Sequence, residues 1–360
     1  MDWDRAQWFT ENHAPTGGIL QIPYCEFTNI LAEAPPFLLD EWRAQPGGWR
    51  MQGGIFPLPS YADWWCHNFR NYRKQAMPEG VYLDNVCVTA SMNDQAHGAW
   101  RNEKNEPQAA YNLWDLRDMF RRVRAVLQET GPKQSWLELH MTHSNLINAM
   151  GYADVLYNGE DFFQKAAKGA DFIDSWPLDM LTAINCPHTW GVPTRFLTFV
   201  QDSEEEWNRL YKLGYENAQR SGIGTLLLLD CYPDPLDYPM GNIRAALEKW
   251  GIFENDVEFE GYWRDSFKSG DNDVLVAAFQ QPEKLLLVIQ NRDRAGPRTP
   301  RIRFTPKNLG GLKVGDAAAF DQEQHAGCEC SLRADGGEWV LQAGPIPPRD
   351  FRLIAIAKRQ

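Results

Sequence analysis

Short apolar runs punctuate the first two thirds of the chain, and longer amphipathic stretches separate most of them. The clearest run is Gly80-Val81-Tyr82-Leu83-Asp84-Asn85-Val86-Cys87, entered from a turn at Pro78-Glu79-Gly80 and closing on a carboxylate. Side chains alternate along a strand, so Tyr82 and Asp84 share one face while Val81 and Leu83 take the other. Leu20 to Phe27 predicts an earlier strand ending near Tyr24 or Glu26, followed by a long Pro/Gly-rich loop over 34–57. Asp63 reads as the N-cap of a helix running to about Met77, where Pro78 breaks it. Residues 109–130 predict another helix, with Leu113, Leu116, Phe120, Val123 and Leu127 on one side and Gly131-Pro132 as its stop.

Trp136 to Met141 reads as a strand with Leu137, Leu139 and Met141 facing one way and Glu138 and His140 the other. Ala153 to Asp161 is a short strand ending in acids, and Arg195 to Val200 is a fifth strand. Ser203, with Glu204 to Glu206 in the first turn, starts a helix that Gly222 stops. Gly222-Ile223-Gly224 is then a turn, and Thr225 to Leu229 a wholly apolar strand ending at Asp230. A short helix over about Asn242 to Trp250 closes the region.

Strands alternating with helices predict a parallel sheet, and a (β/α)8 barrel is the favoured form. Only six of the eight strands a barrel needs can be counted. The other two either lie in stretches read as loop or precede Met1, and an open doubly wound sheet is the alternative. Past residue 255 the texture changes. Val274 to Phe279, a turn at Gln281-Pro282-Glu283-Lys284 and Leu285 to Gln290 form a hairpin. Further strands fall at Arg301–Phe304, Ala317–Phe320, Glu329–Leu332, Trp339–Leu341 and Phe351–Ala357. Strands so spaced without helices predict an antiparallel β-sandwich. The expected domains are therefore 1–253, a possibly incomplete barrel, and 254–360, a sandwich.

Composition narrows the partners. A net charge of −12 with no basic cluster argues against nucleic acid and anionic membranes. No apolar run approaches the ~20 residues of a membrane span. Met1-Asp2-Trp3-Asp4-Arg5 lacks the basic and apolar regions of a signal peptide, which points to the cytoplasm. Seven scattered cysteines, with Cys328-Glu329-Cys330 at no zinc spacing, read as free thiols in a reducing compartment. Fifteen tryptophans exceed what a core needs, and Trp stacks well on the apolar faces of sugar rings.

Glu160 is the best partner for Asp84. Asp84 ends the second visible strand and Glu160 the fourth, two positions apart on a barrel rim. Carboxylates flanking one scissile bond are what glycoside hydrolysis requires. Asp161 is the rival, but adjacent residues point apart. Capping or pairing with arginine is the bland account of either acid. Glu138 and His140 face the same cavity if that polar face lines the barrel; a satisfied Glu–His hydrogen bond is the alternative. His97 and Trp100 lie in the loop after the Asp84 strand, placed to cover a sugar, and Tyr24 and Asp230 sit at other strand tips. His140 and His143 do not share a strand face, and no H-E-x-x-H occurs, so no metal is expected. No G-x-G-x-x-G after a strand, P-loop or G-x-S-x-G elbow is present, and no cofactor is called for.

Tyr24, Gly80-Val81-Tyr82-Leu83-Asp84, His97-Gly98, Trp100, Tyr152-Ala153-Asp154 and Gly159-Glu160 resemble a group of bacterial glycoside-hydrolase-like proteins related to glycoside hydrolase family 123. Pro347 to Leu353 is similar to the last strand of many glycosidase C-terminal sandwiches. The resemblance implies an (α/β)8 barrel followed by a β-sandwich, and it implies a carbohydrate substrate. Family 123 enzymes use adjacent Asp-Glu for substrate-assisted chemistry, whereas Asp84 here is followed by Asn85. Tyr82 to Cys87 is instead similar to the nucleophile strand of the α-galactosidase clan, whose acid/base comes from a strand two further on. That position matches Glu160, though the clan's usual residue there is Asp. Related proteins carry more sequence before the Tyr24 region, so the chain reads as N-terminally short. The expectation is a retaining glycosidase with Asp84 as nucleophile and Glu160 as general acid/base, and Tyr24, His97, Trp100, Glu138, His140 and Asp230 binding the sugar. A non-catalytic carbohydrate-binding protein is the competing class, and a metal-dependent hydrolase the third.

Overall fold

The computed structural model describes residues 22–26, 41–44, 54–94, 96–131, 135–141, 145–160, 172–198, 215–235, 238–252, 257–305, 309, 311–325 and 329–359. The chain forms two compact units, Met1–Asn158 and Gly159–Gln360. The expected helix start at Ser203 and the residues Asp161, His143 and Cys328 lie outside the described residues.

The first unit holds β1 (Tyr24–Glu26), α1 (Pro59–Ala76), β2 (Gly80–Asp84) and four two-residue strands, β3 (Ala90–Ser91), β4 (Trp100–Arg101), β5 (Pro107–Gln108) and β6 (Ala110–Tyr111). It continues with α2 (Leu113–Thr130), β7 (Trp136–His140), α3 (Ile147–Met150) and β8 (Val155–Asn158). Helix α1 begins at Pro59, four residues before the expected cap, because proline at the first helical position lacks only an N–H that would have no partner there anyway. Asp63 lies inside the helix and pairs with Arg122. At the other end Met77 takes the left-handed conformation and its N–H donates to the Arg73 carbonyl.

Strands β1, β2, β7 and β8 are adjacent and parallel, in register Tyr24↔Tyr82, Tyr82↔Glu138 and His140↔Tyr157. Because side chains alternate, one face of this sheet carries Leu83, Leu137, Leu139 and Leu156, all fully buried. Helices α1 and α2 carry matching buried stripes, Trp65 and Phe69 on one and Leu116, Phe120, Val123 and Leu127 on the other. The opposite face carries Tyr24, Glu26, Tyr82, Asp84, Glu138, His140 and Tyr157, so the ionisable residues of these strands other than Cys25 fall on one side.

The second unit begins with α4 (Phe172–Ser175), α5 (Leu178–Asn185), α6 (Pro187–Trp190), β9 (Thr194–Leu197), α7 (Tyr215–Leu227), β10 (Tyr232–Asp234) and α8 (Gly241–Lys249). Strands β9 and β10 pair in parallel. Here the structure corrects the sequence reading. Thr225 to Leu229 is the end of α7 and the turn after it, and the strand comes later, at β10. Ile223, Leu226, Leu227, Leu228 and Leu229 are all buried, so the run shows no helical period, and an apolar run of five cannot by itself distinguish helix from strand. Gly222 does not stop the helix either. A Cβ there would lie 2.9 Å from the Phe172 ring, and one at Gly224 would lie 2.9 Å from Phe351, so both glycines serve close approach.

Then follow β11 (Glu258–Glu260), β12 (Val274–Gln281), β13 (Lys284–Asn291), β14 (Arg301–Phe304), β15 (Ala317–Asp321), β16 (Ser331–Asp335), β17 (Glu338–Gln342) and β18 (Phe351–Lys358). They make an antiparallel five-stranded sheet, β11-β12-β13-β18-β15, and a three-stranded one, β14-β17-β16. Val276, Leu287, Ile289, Ile302, Phe304, Leu341 and Ile354 fill the space between them. The other face of the larger sheet, with Phe279, Leu286, Val288, Phe351 and Leu353, is covered by Ile223, Leu227, Ile243 and Leu247 of α7 and α8. Burial on both faces is why β12, β13 and β18 read as unbroken apolar runs.

Parallel strands followed by antiparallel sheets match the expected order of architectures. Among the described residues no closed barrel forms: four parallel strands lie in the first unit and two in the second.

Candidate active site

Asp84 ends β2 and is largely enclosed, with 15 % of its side chain exposed. Its two oxygens accept from opposite sides. Oδ1 lies 2.7 Å from His140 Nδ1 and takes the Asn85 backbone N–H at 2.7 Å. Oδ2 accepts the Tyr24 hydroxyl at 2.5 Å and the Asn85 amide Nδ2 at 3.3 Å. These partners follow from register. Tyr24 and His140 sit on the strands flanking β2, at positions whose side chains emerge on the Asp84 face.

Electrostatics follow from this geometry. Burial pushes the Asp84 carboxyl up, but donation from His140 and Tyr24, the proximity of His140 and the Asn85 N–H together outweigh it. The carboxyl is held below its usual range and stays an anion. The Tyr24 phenol is raised by burial and by its bond to that anion. Tyr82 is raised by burial, then by the charges of Asp84 and Glu138. Because Asp84 is ionised and accepts at His140 Nδ1, that nitrogen is assigned the proton. The Tyr82 hydroxyl lies 2.7 Å from the same nitrogen. Tyr157 closes the group, 5.4 Å from His140 and 5.5 Å from Tyr82 between ring centres. Glu138 is 4 % exposed on the same face.

The structure therefore brings Tyr24, Asp84 and His140 into one hydrogen-bonded group, with Glu138 on their face. His97 is elsewhere. It is buried, with Nδ1 2.6 Å from Ser91 Oγ and Nε2 2.5 Å from the Glu41 carbonyl, and it stacks on Phe56 at 4.5 Å. Both ring nitrogens are engaged within the protein, which corrects the expectation that His97 covers a sugar; burial lowers its pKa as well. Trp100 is 58 % exposed on β4. Glu160 follows β8 and belongs to the second unit. Asp230 is also in the second unit. It lies in the turn after α7 with φ 60°, not at a strand tip, and its carboxylate is 3.0 Å from His188 Nε2.

Three residues of the group escaped the sequence reading as site members: Tyr82, Tyr157 and Asn85. Tyr82 was legible in principle, because it lies two positions from Asp84 and so shares its face. Asn85 was not, since its part depends on a left-handed backbone, φ 58°, that turns its N–H and amide onto Asp84. Among the described residues no three His, Cys, Asp or Glu side chains come together as a metal would need. The described cysteines are free thiols. No described helix is long and apolar enough to cross a membrane.

No family model matches the chain, and no curated protein matches it. Solved structures do. An Anoxybacillus α-amylase, described as giving insight into a new glycosyl hydrolase subclass, superposes with a TM-score of 0.57 at 11 % identity, covering 99 % of this chain and 80 % of that one. The α-amylase of Geobacillus thermoleovorans, solved with acarbose, gives 0.54 at 10 % identity, covering 98 % and 74 %. The α-amylase of H. orenii gives 0.50 at 12 % identity, covering 87 % and 68 %. At such identities the likeness is one of fold.

Proposed function

We propose that this chain is a glycoside hydrolase acting on a carbohydrate substrate, with Asp84 as nucleophile and Glu160 as general acid/base in a retaining reaction. The observation that carries this reading is the state of Asp84: an anion at the end of a parallel strand, directed by four donor contacts and flanked by tyrosines. A nucleophile in glycoside hydrolysis has to be ionised at working pH, which the depressed carboxyl satisfies. The fold shared with the α-amylases is consistent with it. In the first step an Asp84 oxygen bonds to the anomeric carbon as the glycosidic C–O bond breaks, and Glu160 gives its proton to the leaving oxygen. In the second, Glu160 takes a proton from water, which attacks the same carbon and releases Asp84. Tyr24, 59 % exposed, is the donor that can swing aside to free Oδ2 for substrate. Trp100, Glu138, His140 and Asp230 are proposed to bind the sugar.

One observation favours a second reading, a non-catalytic carbohydrate-binding protein on this scaffold. An ionised carboxylate has about four acceptor positions, and the protein already fills that number at Asp84. Assay of purified protein on a panel of chromogenic glycosides separates the two. Turnover that Asp84→Asn and Glu160→Gln each reduce at least ~1,000-fold, with folding intact, supports the enzyme. Saccharide binding without turnover supports the alternative, and full activity in Asp84→Asn removes Asp84 from the chemistry.

A further inference from the structure

Asn85 contacts two carboxylates at once. Its amide Nδ2 donates to Glu26 Oε1 at 2.8 Å and to Asp84 Oδ2 at 3.3 Å, while its backbone N–H holds Asp84 Oδ1. Glu26 and Asp84 are register partners at the ends of neighbouring parallel strands, so their side chains leave one face from backbones ~4.8 Å apart. Carboxylates that close repel, and the common relief is a proton shared between them, which splits their titration and raises one apparent pKa. In this site an amide occupies that position and serves both acceptors. It carries no charge and does not titrate.

We propose that Asn85 is a positioning residue that holds Asp84 and Glu26 as one fixed carboxylate pair, with Glu26 thereby a member of the site. The catalytic consequence rests on the glycosidase reading above; the pairing itself does not. The other titratable groups facing the pair are Tyr24 on β1, Tyr82 on β2, Glu138 and His140 on β7 and Tyr157 on β8. Of these only Tyr24 and His140 are hydrogen-bonded to Asp84, and neither bond involves Asn85.

Asn85→Gly is the clean variant, because glycine tolerates the positive φ and keeps the backbone N–H while losing only the amide. Asn85→Asp keeps the side-chain size and replaces the amide by a third carboxylate. The decisive measurement is a carboxyl carbon NMR titration of the full-length protein labelled at Asp and Glu, with Asp84→Asn and Glu26→Gln assigning the two resonances. In Asn85→Gly the Asp84 titration should move upward and become coupled to that of Glu26, and Asn85→Asp should move it further. Adding Glu26→Gln to Asn85→Gly should remove the coupling. On a chromogenic glycoside, Asn85→Gly should lower kcat about 10-fold with KM within about 2-fold, and shift the acid limb of the pH profile upward. An Asp84 titration in Asn85→Gly identical to that of the natural protein overturns the pairing, whatever the activity. If no glycoside is turned over, the glycosidase reading falls and the NMR result still decides this one. If Asp84→Asn abolishes turnover while Asn85→Gly titrates unchanged, the reverse holds.

Discussion

Asp84 is an acid whose charge is held by donors on both of its oxygens, and its depressed pKa has consequences beyond any reaction. A group whose folded pKa lies below its unfolded value favours the folded state above the unfolded pKa, and that contribution is lost as pH falls through the folded one. The natural protein should therefore lose stability over an acid interval beginning near pH 4, and Asp84→Asn should show a flatter dependence there in thermal melts taken at a series of pH values. Tyr24→Phe removes the donor on Oδ2 and so should raise the Asp84 pKa. The acid limb of any Asp84-dependent activity should move up, while stability near neutral pH falls by only ~1 kcal/mol, because Tyr24 is mostly exposed and solvent replaces the bond. An acid limb that stays put in Tyr24→Phe would show that the hydroxyl does not hold the carboxylate.

At the scale of elements, what could be read in advance tracked periodicity. Helix α2 was visible because Leu116, Phe120, Val123 and Leu127 repeat at helical spacing and all are buried. The placement of Glu138 and His140 opposite Leu137 and Leu139 was visible because strand period is two. Helix α7 was legible only in part: the helix expected to end at Gly222 overlaps its first turns, while the run after Gly222 is buried and its glycines looked like stops although they mark contacts with Phe172 and Phe351. The same helix carries an ion-pair knot that periodicity could not announce. Arg220, 8 % exposed, holds Glu323 with two parallel bonds of 2.8 and 3.0 Å and Asp350 at 2.6 Å, and lies 4.5 Å above the Phe351 ring. These partners are 103 and 130 residues away in sequence, beyond any local pattern. Burial lowers the Arg220 pKa, but the two carboxylates override it and leave the guanidinium fully charged. Arg220→Met should leave Glu323 buried without its cation, while Asp350 keeps Arg352 at 2.8 Å, and cost ~3 kcal/mol, read as a fall in urea midpoint at constant slope. Arg220→Lys should recover little, because an ammonium cannot reproduce the two-pronged geometry.

For the whole molecule, the order of architectures was legible, parallel strands first and antiparallel sheets after, because strand spacing and the presence of helices between strands differ between the two regions. The location of a division was less so. Composition changes near residue 254, where helices give way to strands, yet the compact units divide after Asn158. The reason lies in the larger sheet of the second unit. Its β12, β13 and β18 have two buried faces, and only one is covered by the small sheet. The other, built from Ala277, Phe279, Leu286, Val288, Phe351, Leu353 and Ala355, is covered by α7 and α8, which precede residue 254. A fragment of residues 254–360 would leave that face in water. Seven apolar side chains at ~1–3 kcal/mol each are more than a domain of that size can lose, given a typical net stability of ~5–15 kcal/mol. The fragment should bind anilinonaphthalene sulfonate strongly and sediment as aggregates, and one extended back to residue 215, restoring both helices, should do so far less. A monomeric 254–360 fragment that binds no dye and melts cooperatively would mean the sheet needs no cover on that side, and the sandwich would then stand as a domain with its boundary where the composition changes.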